Sequence, residues 1–303
     1  MRYRPLGRTG LSVSEIGFGA ASYWGLRRFP EREAAGLVHR AIDLGVTFFD
    51  TGPGYSRGEA EPRLGRALKG RDRDRLVVAT KAGTFHAGGG RMGRDFRPQA
   101  VIASVERSLS RLGLDHLDLL QLHGPAADEL TDELFEALAD LRRRGLARAF
   151  GANSFDPQVI DAVIDAPGFD AVMLDYNVLR PERGPAIARA AEMGKGVLAG
   201  MPLAMGHVDG QMRKYRGLQD LWYAARALKN HRDEVRRAGA FEFLRRLEGL
   251  TAAQASLAYV LANPGVSVAV VGTTRPRHLE DNVAASRLVL PPDLRSRIEA
   301  AQS

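Results

Sequence analysis

Eight short apolar runs alternate with eight amphipathic segments along this chain of 303 residues, and this alternation constrains the fold more than any other feature. Unbroken apolar runs are typical of parallel strands that are buried on both faces. No G-x-G-x-x-G turn, which open doubly wound sheets often carry, follows the first run. We therefore expect one α/β domain over 1–303, built as a (β/α)8 TIM barrel.

Two additions to this barrel are expected. Residues 1–13 predict a β-hairpin that turns between Gly7 and Gly10. Residues 203–249 form a long insertion after the seventh strand, rich in Arg and in aromatic side chains. Insertions of this length in a compact domain are usually functional or carry their own helices. We expect a helix across 218–248 and a lid that covers cofactor or substrate.

Three of the predicted strands end in a titratable side chain, namely Asp50, Lys81 and His123, and a turn rich in Gly and Pro places Tyr55 shortly after the first of them. Because the carboxyl ends of parallel strands open on one face of a barrel, the four side chains are expected to meet there. Each has a structural alternative, and that of Tyr55 is an ordinary loop aromatic. Asp50 could cap the next helix, Lys81 could form a structural ion pair, and His123 could be a hydrogen-bonded core residue.

The segment D-T-G-P-G-Y-S-R-G-E-A-E at 50–61, with a Lys and a His ending the next two strands, resembles the aldo-keto reductase family. The opening M-R-Y-R-P-L-G-R-T-G-L-S-V-S-E-I-G-F-G-A is similar to the start of that family, and the match runs over nearly the whole chain. The resemblance implies an NADPH-dependent carbonyl reductase with Asp50, Tyr55, Lys81 and His123 as its catalytic set.

Each member of this set has an expected role. Tyr55 donates a proton to the carbonyl oxygen as hydride reaches the carbonyl carbon. A free phenol has a pKa of about 10, and the Lys81 ammonium is expected to lower the pKa of Tyr55. Asp50 pairs with Lys81 and offsets the cost of burying it, while His123 hydrogen-bonds the carbonyl oxygen.

Cofactor contacts are expected from two segments that resemble the family, G-A-N-S-F at 151–155 and V-G-T-T-R-P-R-H-L-E-D-N at 271–282. Backbone N–H groups at the start of the helix in the second segment would face a phosphate, together with Arg275. The predicted cofactor-binding residues are Asn153, Ser154, Pro202, Leu203, Gly272, Thr273, Thr274, Arg275, Asp281 and Asn282.

Three positions depart from the family pattern. Met173 stands where the family often has Gln, and Gly200 stands where many members stack an aromatic ring on the nicotinamide. Both changes would weaken the hold on that ring. His278 stands where some members place an Arg against the 2′-phosphate. We expect NADP(H) in preference to NAD(H).

Substrate identity is expected to reside in loops at the carboxyl face, at 20–30, 84–97 and 203–249. Tyr23 and Trp24 lie in the first loop, where they would form a substrate wall or pack against neighbouring loops. The glycine-rich part of the second loop, 86–95, is expected to be mobile.

Composition narrows the range of partners. The chain has no Cys, which excludes disulfides, Cys-ligated metals and cysteine nucleophiles, and we expect no metal site. The formal charge is +7, but the Arg residues lie along amphipathic segments without interleaved aromatics, so a nucleic-acid partner is not expected. A positive field would attract a phosphate-bearing cofactor. Without an Arg-rich leader or a run of 18 apolar residues, we expect a cytoplasmic protein with no membrane partner.

Two other functions fit parts of the sequence. A barrel with Lys81 at a strand end could form a Schiff base with an aldehyde, as an aldolase does. The fold could also serve as a cofactor-bound sensor or regulatory subunit with slow chemistry. The family resemblance implies a small carbonyl substrate. A sugar is also expected, because P-L-A-M-G at 202–206 is similar to members that oxidise sugars.

Overall fold

The computed structural model describes residues 1–88, 91–204 and 236–302. Within these ranges the strands are β1 (Tyr3–Pro5), β2 (Ser12–Ser14), β3 (Ile16–Gly19), β4 (Phe48–Asp50), β5 (Val77–Ala82), β6 (Thr84–His86), β7 (Met92–Arg94), β8 (Leu117–His123), β9 (Ala147–Asn153), β10 (Ala171–Asp175), β11 (Gly196–Gly200) and β12 (Val268–Val271).

The α-helices of the described residues lie between and after the strands. They are α1 (Glu31–Asp43), α2 (Ala60–Leu68), α3 (Pro98–Leu112), α4 (Asp132–Arg143), α5 (Pro157–Asp165), α6 (Gly184–Glu192), α7 (Ala252–Leu261), α8 (Pro276–Ala284) and α9 (Pro292–Gln302). Short 3-10 helices include Ser22–Gly25, Tyr55–Gly58 and Ala238–Arg246.

The helix ends follow from local chemistry. Proline, whose ring presets a helical φ, begins α3, α5 and α8. The side chain of Thr131 accepts a hydrogen bond from a backbone N–H at the start of α4, and Thr251 and Gln254 form a reciprocal capping box at the start of α7. Gly113 ends α3 in the left-handed conformation.

Eight strands close into a parallel barrel, in the order β3, β4, β5, β8, β9, β10, β11 and β12 around the ring. Apart from β6 and β7, which form a separate hairpin, strands that are adjacent in the ring are therefore consecutive along the chain, and helices follow the strands. This architecture is a (β/α)8 barrel and confirms the predicted fold class.

Alternate residues of each barrel strand belong to two different apolar layers, because successive side chains of a strand point to opposite faces. Phe48 and Leu119 belong to the cluster that fills the barrel interior. Their neighbours Phe49 and Leu120 belong to the larger cluster between strands and helices. Burial on both faces explains why the strands read as unbroken apolar runs.

The predicted N-terminal hairpin is confirmed, since β1 and β2 pair antiparallel. Its Leu6 and Val13 belong to the interior cluster and are fully buried. The Arg8 backbone N–H donates to the Gly194 carbonyl, 2.8 Å away, just before the start of β11. The hairpin therefore closes the amino-terminal end of the barrel.

Two elements differ from the sequence-based expectations. The loop expected over 86–95 contains strands in its described part, because β6 and β7 pair antiparallel from Thr84↔Arg94 to His86↔Met92, and its expected mobility stays a prediction. The helix α9 was not predicted. Of the helix predicted over 218–248, residues 218–235 lie outside the described part of the chain. The remainder contains the 3-10 helix Ala238–Arg246.

In the described part of the chain, no helix is both long and apolar enough to span a bilayer.

Candidate active site

The alternation of the barrel strands aims three polar side chains into the carboxyl end of the barrel. On β5, Ala79 lies in the interior layer, so Lys81 two residues later also points inward. On β8, Leu119 lies in the interior layer, so Gln121 and His123 follow it on the same side. Each strand thus changes from apolar to polar interior residues near its carboxyl end.

Asp50 and Lys81 form a buried ion pair at the base of this site. The Lys81 Nζ donates to Asp50 Oδ2 at 2.6 Å and to the Thr51 carbonyl at 2.9 Å. The Gln121 amide donates to the other carboxylate oxygen, Oδ1, at 2.8 Å. Lys81 is 1% exposed and Asp50 4%. Burial disfavours the Lys81 ammonium, but the Asp50 carboxylate and Tyr55 outweigh burial and raise the pKa of Lys81.

Tyr55 lies directly above this pair. It begins the 3-10 helix Tyr55–Gly58, and the Lys81 Nζ is 4.8 Å from the centroid of its ring. Burial raises the pKa of the Tyr55 phenol, and Lys81 opposes that shift without reversing it. The lowering expected from the Lys81 ammonium is present, but desolvation, which the sequence did not reveal, is larger and sets the net direction of the shift in this pKa. At neutral pH the phenol keeps its proton.

His123 faces Tyr55 across the mouth of the barrel. The two rings meet edge to face, with their centroids 5.6 Å apart. The His123 Nδ1 is 2.5 Å from the Thr84 hydroxyl oxygen on β6. Burial, reinforced by the charges of Lys81 and Arg94, lowers the pKa of His123 to about 3. The imidazole is therefore neutral at physiological pH and has one N–H to donate.

Strained backbone borders the site on two sides. Ser56 and Arg57, directly after Tyr55, have φ of 55° and 62°, and Met201 and Ala204 after β11 have φ of 48° and 47°. Left-handed conformations cost energy for residues other than glycine, and in folded proteins they cluster at functional sites.

The arrangement can deliver a proton and stabilise a developing negative charge. A protonated phenol lies between an ammonium and a neutral imidazole, and the Asp50 carboxylate balances the ammonium. Positioned donors in a site with little water stabilise an oxyanion well. No cluster of three or more His, Cys, Asp or Glu side chains suited to a metal occurs among residues 1–88, 91–204 and 236–302.

A cleft of about 600 Å³ opens beside the carboxyl end of β12. This volume is typical of a small-molecule pocket. It is lined from one side by the start of α8 and from the other by residues around the start of α7. The lining residues are Leu203, Arg245, Leu250, Thr251, Ala252, Ala253, Gly272, Thr273, Arg275, Arg277, His278, Asp281 and Asn282.

This cleft suits a phosphate-bearing ligand. Three arginines border it, at 245, 275 and 277, and the amino-terminal end of α8, which favours anions, opens into it. The Thr273 hydroxyl accepts a hydrogen bond of 3.1 Å from the Arg275 N–H, which fixes the turn into the helix. The residues therefore fit the phosphate and adenosine parts of a dinucleotide.

The predicted cofactor residues fall into two groups. Six of them line the cleft: Leu203, Gly272, Thr273, Arg275, Asp281 and Asn282. The other four lie elsewhere: Asn153 and Ser154 are buried at the end of β9, Pro202 is buried after β11, and Thr274 sits between two cleft residues. Asn153 pairs in register with His123, which places it at the same end of the barrel as the catalytic candidates.

The departures at Met173 and Gly200 are linked in space. A Cβ on Gly200 would lie 3.3 Å from the Leu174 carbonyl oxygen and 3.4 Å from Met173 Cγ. The space beside Gly200 is thus already occupied, and an aromatic side chain there would require its neighbours to move.

The expectation of a substrate wall is wrong for Trp24. This residue is 1% exposed, its Nε1 donates to the Ala34 carbonyl at 3.1 Å, and its ring packs edge to face on Phe18. The other possibility weighed for it, packing, is what the structure shows. The side chain of Tyr23 lies outside the described residues, as do Trp222 and Tyr223 of the insertion.

Three features of the site escaped sequence reasoning. Gln121 holds Asp50 and carries a signal that was available, because it precedes His123 by two residues and so shares its face of β8. Thr84 gave no local signal, since its position depends on the β6–β7 hairpin. Arg245, near the end of the 203–249 segment, also lines the cleft and likewise gave no local signal.

Comparison with known proteins agrees with this geometry. L-galactose dehydrogenase from Arabidopsis thaliana is 32% identical, and the match covers 93% of this chain and 87% of that protein. A probable voltage-gated potassium channel subunit beta from Oryza sativa subsp. japonica is 28% identical over 99% of this chain and 96% of its own length. The solved holo form of aldo-keto reductase AKR11C1 from Bacillus halodurans is similar with a TM-score of 0.82 and 28% identity, covering 100% of this chain and 97% of that one.

The sequence profile of the Aldo/keto reductase family matches residues 15–303. The barrel, the polar strand ends and this match identify the chain as a member of the Aldo/keto reductase family, a family of oxidoreductases that use nicotinamide cofactors.

Proposed function

We propose that this protein transfers hydride between NADP(H) and a small carbonyl compound, alcohol or sugar, with Tyr55 as the general acid and base. One observation carries the proposal. Tyr55 lies above the buried Lys81–Asp50 ion pair and faces a neutral His123, at the carboxyl end of the barrel and on the same face as the cleft beside β12.

The four side chains divide the work. His123 donates its N–H to the substrate oxygen and orients it. Tyr55 then gives its proton to that oxygen, or takes it back in the oxidative direction. The phenolate that remains lies beside the Lys81 ammonium, which stabilises it. Asp50 fixes the ammonium in place through a hydrogen bond of 2.6 Å. When bound, the nicotinamide supplies or accepts the hydride.

The preference for NADP(H) rests on the charge of the cleft. Among the described residues that line it, three are arginines, Arg245, Arg275 and Arg277, and one is an acid, Asp281. A 2′-phosphate adds negative charge, and Arg binds phosphate well because its planar fork of N–H donors matches the phosphate oxygens. NADPH should therefore bind more tightly than NADH, and the difference should shrink as ionic strength rises.

A sugar is the substrate class that the comparisons favour. The similar plant protein is an L-galactose dehydrogenase. The chemistry of the site also suits a lactol, since Tyr55 and His123 would bracket a single hydroxyl or carbonyl oxygen.

The test is a fluorescence titration of the purified protein with NADPH and with NADH, followed by turnover. The turnover assays use an aromatic aldehyde with NADPH and L-galactose with NADP⁺. Micromolar binding of one cofactor and turnover of either substrate support the proposal. Failure of both cofactors to bind contradicts it.

Two other functions make different predictions. A Schiff base at Lys81 requires a neutral amine, but this Nζ is held as an ammonium by Asp50 and the Thr51 carbonyl, so borohydride with an aldehyde should trap no adduct. The similarity to a potassium channel subunit beta favours a regulatory subunit as a second candidate. Tight cofactor binding with very slow turnover of every substrate would point to that function.

A further inference from the structure

The β6–β7 hairpin places a hydroxyl against His123. Thr84, the first residue of β6, lies with its Oγ1 2.5 Å from the His123 Nδ1. Within the described part of the chain, neither the Thr84 hydroxyl nor the His123 ring makes a second side-chain hydrogen bond. The contact joins the segment after β5 to the end of β8, so it depends on the tertiary fold.

Gly83 makes this contact possible. Its φ of 90° turns the chain directly after β5, and a Cβ at this position would lie 2.0 Å from the Phe96 ring. The hairpin is closed at its base by the Asp95 N–H, which donates to the Gly83 carbonyl at 2.8 Å. The short segment from Lys81 to Thr84 thus places both side chains at the carboxyl end of the barrel.

The tautomer of His123 sets which of the two groups donates across this contact. A neutral imidazole has one N–H donor and one acceptor nitrogen. Among the described residues the Thr84 hydroxyl makes no other side-chain hydrogen bond, so we take it as the donor to Nδ1. The imidazole proton then lies on Nε2. The burial that lowers the pKa of His123 keeps the ring neutral, so the question of tautomer applies across the physiological range.

The geometry points to Thr84 as a positioning residue that holds His123 in the Nε2–H tautomer, with Nε2 free to donate to the substrate oxygen. This inference rests on the proposed function, because it assigns Thr84 a task only if His123 binds substrate. An imidazole with its proton on the other nitrogen would present a lone pair to the substrate oxygen and repel it. Fixing a catalytic histidine in one tautomer through a second residue is a recurring device in enzymes.

The test combines NMR with kinetics on the full-length protein. Protein labelled with ¹⁵N at histidine reports the protonation of each ring nitrogen through its chemical shift, and the spectrum of His123→Gln assigns the signals. The variants are Thr84→Val, which keeps the shape but has no hydroxyl, and Thr84→Ser, which restores the hydroxyl. Thr80→Val is the matched control, because the Thr80 hydroxyl donates to Glu61 at 2.7 Å and lies away from His123.

We expect Thr84→Val to shift His123 from the single Nε2–H tautomer to a mixture and to lower kcat with an aromatic aldehyde and NADPH by about 10–100-fold, since a buried nitrogen loses its partner. Thr84→Ser should restore both properties, and Thr80→Val should change neither. A wild-type tautomer in Thr84→Val, or a changed tautomer with kcat within twofold of wild type, would overturn the inference. Failure of the proposed function would look different, because the wild-type protein itself would then show no turnover.

Discussion

Replacing Lys81 by Met removes one charge of the buried pair and should destabilise the protein strongly. At 2.6 Å the two charges attract by about 6 kcal/mol at an effective dielectric constant of ~20, and burial of both groups consumes part of this gain. Removal of one partner leaves Asp50 buried with only Gln121 and no cation. We therefore expect a loss of about 3–5 kcal/mol, which for a domain of this size lowers Tm by roughly 6–10 °C.

A double-mutant cycle separates the pair from its surroundings. Asp50→Asn, Lys81→Met and the double variant are unfolded by urea, and the free energies give the coupling between the two side chains. We expect a coupling of about 2–3 kcal/mol, with the double variant more stable than Lys81→Met alone. Lys195→Met is the control, because Lys195 is also buried but its Nζ donates only to the carbonyls of Ala166 and Phe169. That variant should lose stability and show no coupling to Asp50→Asn.

A loss below about 1 kcal/mol for Lys81→Met, or a coupling below about 0.5 kcal/mol in the cycle, would contradict the dependence of the two charges on each other. Either result would mean that the ammonium and the carboxylate do not depend on each other for their burial.

Three further predictions follow from single contacts. The folded-state pKa of His123, about 3, lies below its ordinary value of 6.5, so the unfolded state binds the proton first as pH falls and stability is lost between those values. His123→Gln should abolish about 2–3 kcal/mol of this loss of stability at pH ~4.5. The free energy of unfolding in urea is measured for both proteins at neutral pH and at pH ~4.5, and an unchanged pH dependence in the variant would contradict the burial of a neutral His123. Arg277→Ala should weaken NADPH binding about tenfold in a fluorescence titration and NADH binding hardly at all, whereas equal weakening would show that Arg277 does not contact the 2′-phosphate. Gly83→Ala should lower Tm far more than Gly70→Ala, because both have positive φ but only Gly83 has a neighbour, Phe96, where the methyl group would go; similar losses would argue against this packing.

The fold was predictable because two simple periodicities are written in the chain. Continuous apolar runs gave the buried strands, helical spacing gave the segments between them, and eight repeats of the pair leave a closed barrel as the natural architecture. The polar strand ends were visible for the same reason, since a charge that interrupts a buried run requires a partner. Asp50, Lys81 and His123 are such interruptions.

The features that the sequence did not reveal depend on contacts between segments that lie far apart along the chain. The upward shift in the pKa of Tyr55 follows from desolvation, which depends on how closely the surrounding segments cover the ring. Trp24 looked like an exposed loop aromatic, but its burial depends on the Ala34 carbonyl and the Phe18 ring, both on other elements. Thr84 meets His123 only because the left-handed Gly83 redirects the chain between Lys81 and Thr84.

The variant Tyr55→Phe tests whether Tyr55 is the proton donor, because it removes a single hydroxyl and keeps the ring against Lys81 and His123. NADPH affinity and kcat for an aromatic aldehyde are measured on this variant and on the control Tyr259→Phe. The control also removes the hydroxyl of a buried tyrosine, one that accepts a hydrogen bond from the Gln302 amide. We predict that Tyr55→Phe keeps NADPH affinity within about threefold and lowers kcat by roughly 10²–10⁴-fold, while Tyr259→Phe retains wild-type turnover. Turnover by Tyr55→Phe within tenfold of wild type would contradict the assignment of Tyr55 as the proton donor.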